Sequence, residues 1–148
     1  MTLTTRRTVR IPAELGRVAD VRQLVRDVAG ACSAPEPCMD DLVQAVDEAT
    51  TNVIVHGYRG ARGWVDVSAE RVDDRIVVTV TDEAPPFDPT GVPEPDLSVP
   101  PHRRRPGGMG VHLIRQATDR LEHEPRPGGG NILTLDRRLD PRPKEERT

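Results

Sequence analysis

Two neighbouring segments with alternating apolar and polar residues impose the strongest constraint on the fold of this chain. Residues 64–71 (WVDVSAER) and 75–82 (RIVVTVTD) both alternate with a period of two, and Val72, Asp73 and Asp74 link them. Period-two alternation directs successive side chains to opposite faces of a strand, so each strand has one apolar face. The pattern predicts a β-hairpin whose apolar face must be covered by a second layer.

Two amphipathic helices are predicted before this hairpin, and they can supply that second layer. Apolar residues recur at steps of three and four over residues 13–31 and again over about 37–56. Pro35 and Pro37 separate the two helices. Residues 4–11 (TTRRTVRI) precede them and are predicted to form an edge strand, because β-branched residues alternate with arginines there.

The C-terminal half is predicted to contain one more helix and one more strand. The helix is expected over residues 110–123 (GVHLIRQATDRLEH), and the strand over 131–139 (NILTLDRRL) after a glycine turn. Residues 83–106 contain eight prolines and little periodicity, which is typical of a functional lid or loop. The charged residues 140–148 are expected to fray.

The predicted order β-α-α-β-β-loop-α-β fits an α+β fold, a two-layer α/β sandwich. We expect a mixed, mostly antiparallel sheet with three helices on one face. A length of 148 residues suits one domain, which we place at residues 1–140, with a lid at about 89–106 and a flexible tail at 141–148. Only three residues are aromatic, so the core must consist mainly of Val, Leu, Ile and Ala.

Composition narrows the classes of partner and location. The formal net charge of -3 provides no general attraction to nucleic acid or to anionic lipid. No apolar run approaches the roughly 20 residues that span a bilayer, and residues 1–10 lack the apolar stretch of a secretory signal. We therefore expect no direct nucleic-acid partner, no membrane partner and a cytoplasmic location. Cys32 and Cys38 are interpreted as reduced thiols.

A carboxylate and an amide lie four residues apart on the second predicted helix. Glu48 and Asn52 emerge on the same side of that helix, beside its apolar stripe. A partly desolvated carboxylate can orient a hydroxyl group, and an amide oxygen can complete the shell of Mg²⁺. The alternative is a hydrogen-bonded pair that only caps a polar edge of the helix.

Two further stretches carry candidate chemistry. Asp82 ends the second hairpin strand ahead of Pro85 and Pro86, where it can either read a ligand above the sheet or initiate a turn. The glycines at 107–110 (GGMG) open the third helix, so backbone N–H groups can approach a phosphate there. The alternative is that these glycines form a flexible hinge and a helix cap. The arginines at 103–105 favour phosphate binding, because they add positive charge beside the proposed anion.

The order of these features along the chain resembles that of the Bergerat-fold ATPases of the GHKL superfamily. The features are a helical ExxxN, an aspartate at a strand end, a long loop and a GGxG at the start of a helix. The resemblance covers residues 4–139. Within that superfamily the stretches AVDEATTNVIVHGY, APPFDP, GGMGVHLIRQATDRLEHE and GGNILTLDRRL look like the bacterial anti-sigma-factor serine/threonine kinases. The domain at residues 1–140 would then be a histidine-kinase-like ATPase domain.

The resemblance implies roles for individual residues. Glu48 matches the catalytic base, Asn52 the Mg²⁺ ligand, and Asp82 the acceptor of a hydrogen bond from the adenine amino group. The remaining implied nucleotide contacts are the phosphate-binding turn, one lid arginine among Arg103, Arg104 and Arg105, and an adenine-supporting residue on the last strand. With Arg105 taken because it lies nearest the glycines, these residues are Gly107, Gly108, Met109, Gly110, Arg105 and Thr134. Ala84 stands where the family's Asp-x-Gly box has glycine, which predicts weaker nucleotide binding if that position needs positive φ or lies flush against the base.

The resemblance also implies a biochemical function. ATP and Mg²⁺ would be the cofactors, and a serine on an anti-anti-sigma protein of the STAS type would be the phosphate acceptor. A sigma factor or another regulatory effector would be sequestered, and the kinase would be a homodimer. The alternative is a nucleotide-binding switch module that binds a regulatory partner without phosphotransfer.

Overall fold

The computed structural model describes residues 5–91, 96–100, 102, 109–142 and 144–146. In this part of the chain the strands are β1 (Arg6–Pro12), β2 (Trp64–Val72), β3 (Arg75–Asp82), β4 (Arg120–Pro125) and β5 (Asn131–Arg138). The helices are α1 (Val18–Ala31), α2 (Glu36–Asn52) and α3 (Met109–Ala117), and a π-helical turn over Val53–Tyr58 continues α2. Short 3₁₀ turns occupy Leu15–Arg17, Pro89–Gly91 and Lys144–Glu146.

The five strands form one sheet in the order β1-β2-β3-β5-β4. Each pair of neighbouring strands is antiparallel. The predicted α+β fold with three helices and a mostly antiparallel sheet is therefore confirmed, and β1 is an edge strand as expected. The β2–β3 hairpin is also confirmed, with Val72 paired to Arg75 across its turn.

The core lies between the helices and one face of the sheet. Alternate residues of β2 and β3 point toward the helices and are buried, while those between them are only partly buried. The buried aliphatic residues of β2, β3 and β5 are Val65, Val67, Ala69, Ile76, Val78, Val80, Leu133 and Leu135. Together with Ile11 of β1 they form one core cluster with helix residues that include Val21, Val25, Val28, Leu42 and Val46. Aliphatic side chains therefore form most of the core, as the composition predicts, and Tyr58 is buried with them.

The prediction for residues 110–123 is wrong in its second half. The structure ends α3 at Ala117 and places the additional strand β4 at Arg120–Pro125. The helix stops where Thr118 Oγ1 donates to the Ile114 carbonyl at 2.7 Å and the Asp119 N–H donates to the Asp136 carbonyl at 2.8 Å. Backbone pairing with β5 therefore replaces the next helical turn.

One charged side chain is buried between the sheet and α2. Arg137 on β5 is 1% exposed. Its Nε donates to Asp41 Oδ2 at 3.0 Å, and its Nη1 donates to the carbonyl oxygens of Arg138 and Asp140. A buried guanidinium is tolerated only when its donors are paired, so Asp41 ties the N-terminal half of α2 to the end of β5.

Removing this carboxylate should destabilise the fold. We expect Asp41→Ala to lower the free energy of unfolding by about 1–3 kcal/mol, because it leaves a buried donor of Arg137 unpaired. Urea denaturation followed by circular dichroism measures the change. Asp40→Ala is the control, since Asp40 is exposed on the same helix, and it should change stability by less than about 0.5 kcal/mol. Equal losses in the two variants would contradict this role for Asp41.

None of the helices in the described ranges combines the length and the apolarity needed to cross a membrane.

Candidate functional site

The carboxylate and amide on α2 lie against the start of α3. A Cβ atom built on Gly110 would be 3.1 Å from Asn52 Nδ2 and 3.2 Å from Glu48 Oε2. These distances are shorter than ordinary Cβ contacts, so any side chain at position 110 would press on both groups. The structure thus brings Glu48 and Asn52 together with Gly110, which lies more than fifty residues further along the chain.

The surroundings of Glu48 disfavour its ionised form. Partial burial raises the pKa of Glu48, and the negative charge of Asp47 raises it further. Asp47 itself pairs with Arg22, with Nη1 and Oδ1 2.7 Å apart. A partly buried carboxylate with a raised pKa beside a helix N-terminus has the properties of a general base.

The strand-end aspartate is buried beneath the loop that follows it. Asp82 is 1% exposed, and its Oδ1 accepts hydrogen bonds from the Ala84 N–H at 2.8 Å and from Asn131 Nδ2 at 3.0 Å. Burial raises the pKa of Asp82, and these two hydrogen bonds partly oppose that rise. Within the described residues no donor hydrogen-bonds Oδ2, so this oxygen is available to a ligand.

Ala84 packs against the π-helical turn that follows α2. A Cβ built on Gly57 would be 3.0 Å from the Ala84 methyl, which is buried. The φ angle of Ala84 is not positive, so alanine is free of left-handed strain and the backbone reason for weaker nucleotide binding does not apply.

Gly57 follows Asn52 by five residues and Glu48 by nine, about 8–14 Å along a helix axis. One helix therefore connects the two halves of the site.

Tyr58 fixes the loop after Asp82, a role that the sequence analysis missed. Its hydroxyl donates to the Trp64 carbonyl at 2.6 Å and accepts from the Glu83 N–H at 2.8 Å. A Cβ on Gly63 would lie 2.1 Å from the Tyr58 ring, so only glycine leaves room for it. The Trp64 ring lies under the guanidinium of Arg10, 4.2 Å from the ring centroid. Tyr58 thereby joins the end of the α2 region to the start of β2 and to the loop.

Loss of the Tyr58 hydroxyl should destabilise this junction. We expect Tyr58→Phe to reduce the free energy of unfolding by about 1–3 kcal/mol, because the Trp64 carbonyl and the Glu83 N–H lose their shared partner. Urea denaturation of both proteins measures the difference. Ser68→Ala removes a hydroxyl that makes no hydrogen bond to any described residue and should be nearly neutral. A neutral Tyr58→Phe would show that water replaces the hydroxyl.

Asn131, rather than Thr134, lies next to Asp82. Antiparallel pairing sets Asn131 directly opposite Asp82, whereas Thr134 is opposite Thr79. Residues three apart on a strand point to opposite faces, so Thr134 lies on the sheet face away from the helices. The structure does not bring Thr134 to the site. Asn131 was missed because its position depends on the β3–β5 register.

Several predicted contacts fall in parts of the chain that the structure does not describe. Arg105, Gly107 and Gly108 lie outside the described residues, and so does the side chain of Met109, whose backbone begins α3. The predicted lid is described only at residues 89–91, 96–100 and 102. The roles given to these residues remain predictions.

A layer of helices over one face of an antiparallel sheet is the fold of a class of ATPase domains. The chain belongs to the histidine kinase-like ATPase domain family, which matches residues 11–137. It is similar to the serine-protein kinase RsbW of Halalkalibacterium halodurans, with 32% identity over 116 residues, 76% of this chain and 71% of that protein.

Two further relatives extend this comparison. The anti-sigma F factor of Caldanaerobacter subterraneus subsp. tengcongensis is 30% identical over 95 residues, which span 64% of this chain and 66% of the relative. The crystal structure of the RsbU and RsbW domains of Rv1364c from Mycobacterium tuberculosis superimposes with a TM-score of 0.65 at 19% identity. That match covers 90% of this chain and 32% of the other, and it supports the fold assignment.

Proposed function

We propose that this chain is an ATP-dependent protein serine/threonine kinase that acts in an anti-sigma partner switch. One observation carries the proposal: Glu48 and Asn52 lie against Gly110 at the N-terminus of α3. In the proposal, Glu48 is the base and Asn52 the Mg²⁺ ligand, at the positive end of a helix, where phosphate is favoured. Membership of the ATPase family and the names of the kinase and anti-sigma relatives support the same activity.

The proposed site recognises the two ends of the nucleotide separately. At one end Asp82 Oδ2 accepts a hydrogen bond from the adenine amino group, with Ala84 beside it. At the other end the N–H groups of the first turn of α3 face the phosphates, together with the predicted turn of Gly107 and Gly108 and the predicted lid cation Arg105. The separation of these ends along the α2 region suits an extended ligand.

The residues present fit a Mg²⁺-nucleotide complex. The space at Gly110 is one that a Cβ would fill, and the neutral amide of Asn52 adds an oxygen ligand without adding charge. Asn52 Oδ1 and the phosphate oxygens would hold the ion. When bound, Mg²⁺ neutralises negative charge on the phosphates during transfer.

Glu48 performs the proton transfer in the proposed reaction. Its carboxylate takes the proton from the hydroxyl of an incoming serine. The serine oxygen then forms a bond to the γ-phosphorus of ATP, the bond from that phosphorus to the β–γ bridging oxygen breaks, and ADP leaves. The contribution of the chain is positioning and charge stabilisation, which dominate catalysis of phosphoryl transfer.

The proposed partners are proteins. A serine on a STAS-type anti-anti-sigma protein receives the phosphate, and a sigma factor or another regulatory effector is sequestered, with the kinase acting as a cytoplasmic homodimer. ATP and ADP states would select between the two partners through different affinities. The net charge of -3 gives no drive toward nucleic acid.

A thermal-shift titration with ADP, ATP and Mg²⁺ tests nucleotide binding. A ligand at 100 times its Kd stabilises the folded state by about 2.7 kcal/mol, which raises Tm by about 5–10 °C for a chain of this size. Asn52→Ala should reduce the Mg²⁺-dependent part of the shift. Gln44→Ala, which removes an exposed amide from the same helix, should keep it. An unchanged Tm at millimolar nucleotide would remove the basis of the proposal.

Incubation with labelled ATP and a STAS-type partner separates the proposed kinase from the switch module. Label on a partner serine supports the kinase. Nucleotide binding without transfer supports the module that binds a regulatory partner only.

A further inference from the structure

We infer that Arg22 on α1 is a positioning residue for Glu48, because it holds Asp47 beside the proposed base and balances part of its charge. The inference rests on the proposed function and concerns a residue outside the motifs that suggested it. Arg22 Nη1 donates to Asp47 Oδ1 at 2.7 Å, and the two residues are 25 positions apart in sequence. Asp47 immediately precedes Glu48 on α2.

The packing of α1 against α2 brings the two charges together. Arg22 follows Val21, which is buried on α1, and Asp47 follows Val46, which is buried on α2. Both charged side chains therefore lie at the edge of the interface between the helices. Their side chains are 36% and 35% exposed, and an ion pair in this much contact with water adds little to stability. Its larger effect is on the charge beside Glu48.

Asp47 is the charge that acts on Glu48 most directly. Burial and the negative charge of Asp47 are the two causes that raise the pKa of Glu48. The N-terminus of α3 adds a partial positive charge. On the strand side, Arg137 pairs with Asp41, which lies seven residues before Glu48 and about 10 Å away along the axis of α2. The neighbours of Glu48 by helical spacing or by contact have no charged side chain: Gln44, Asn52 and Gly110.

The ion pair reduces the effect of Asp47 on Glu48. Arg22 places a positive charge beside the Asp47 carboxylate, so the pair exerts a weaker field at Glu48 than Asp47 would alone. The hydrogen bond also holds the Asp47 side chain toward α1. Loss of Arg22 would leave an unbalanced carboxylate next to the proposed base and favour the protonated form of Glu48. Because protonated Glu48 cannot accept the serine proton, Arg22 widens the pH range in which Glu48 can act.

Breaking the ion pair from each of its two sides tests this role. Arg22→Gln removes the positive charge and Asp47→Asn removes the negative charge, so both variants lose the same contact. Carbon-13 NMR of the Glu48 carboxyl group in nucleotide-free protein measures its titration. We expect the midpoint at higher pH than in the wild type for Arg22→Gln, and at lower pH for Asp47→Asn. An ion pair with only a structural role would not produce shifts of opposite sign.

Serine phosphorylation provides a second measurement of the same effect. At a pH below the midpoint, the rate is proportional to the ionised fraction of Glu48. The rate of Arg22→Gln should therefore be about two- to three-fold lower than that of the wild type, and the rate of Asp47→Asn about two- to three-fold higher. Both differences should become smaller as the pH rises above the midpoint.

Two further variants serve as controls. Arg17→Gln removes an arginine that pairs with Asp20 three residues along the same part of the chain, and it should keep the wild-type midpoint. Arg22→Lys retains the positive charge and should have a midpoint close to that of the wild type. Midpoints that move in the same direction in Arg22→Gln and Asp47→Asn, or that do not move, would overturn the inference while the proposed function stands. The expected midpoints in a protein that phosphorylates no partner would overturn the proposed function and leave the effect of Arg22 on Glu48 in place.

Discussion

Replacing Glu48 by glutamine should lower the rate of serine phosphorylation by about 10²–10⁴-fold, the usual contribution of a general base. Glutamine keeps the size of the side chain beside Gly110 but cannot take a proton. The affinity for ADP should therefore change by less than about three-fold. Phosphate incorporation into a STAS-type partner measures the rate, and calorimetric titration measures the affinity.

The pH dependence of the wild type should report the same group. Glu48 must be deprotonated to act, and burial together with the charge of Asp47 raises its pKa above the ordinary 4.5. The rate should therefore decline as pH falls through this raised pKa. Asp47→Asn removes the negative charge that raises the pKa of Glu48. The fall in rate should therefore occur at lower pH in this variant, with the maximal rate unchanged. Wild-type activity in Glu48→Gln would exclude Glu48 as the base.

Gly130→Ala should produce the largest loss of stability. A Cβ on Gly130 would lie 2.0 Å from the Asp82 carbonyl oxygen and 2.9 Å from Glu83 Cα, and the φ angle of Gly130 is +117°. Both neighbours are backbone atoms, so relief requires the β3–β5 pair to separate. We expect the free energy of unfolding to fall by at least about 3 kcal/mol, with Tm lower by about 6–12 °C in calorimetry.

Gly128→Ala is the matched control for this steric effect. Gly128 also has positive φ, +88°, but a Cβ there would meet nothing within 4 Å. Only the cost of the left-handed backbone remains, about 1–2 kcal/mol. The variant at Gly130 should in addition lose ADP binding, since the displaced pair contains Asp82 and Asn131. Similar losses of stability at the two glycines would exclude the steric explanation.

Local periodicity explains which parts of the fold were predictable. The β2–β3 hairpin and the helices α1 and α2 follow from alternation or three-and-four spacing within short stretches. The strand β4 was missed because Leu121 follows Ile114 and Ala117 at helical spacing, so it extends the helical pattern. Its identity as a strand depends on hydrogen bonds to β5, which are tertiary interactions.

Local patterns also explain which parts of the candidate site could be predicted from the sequence. Helical geometry places Glu48 and Asn52 on one side of α2, and the family pattern adds Gly110, so their meeting could be predicted. The position of Thr134 could not, because a strand residue changes face with each step in register. Tyr58 and Asn131 act through contacts between elements distant in sequence, and no local pattern indicates them.

The surroundings of Trp64 have an optical consequence. The chain contains a single tryptophan, and its ring lies 4.2 Å from one guanidinium and 5.3 Å from another, those of Arg10 and Arg126. The Trp64 carbonyl accepts a hydrogen bond from the Tyr58 hydroxyl, which itself accepts one from the Glu83 N–H. Tryptophan fluorescence of the unlabelled protein therefore comes from one indole that Tyr58 connects to the loop after Asp82, and we expect its emission to report movement of that loop.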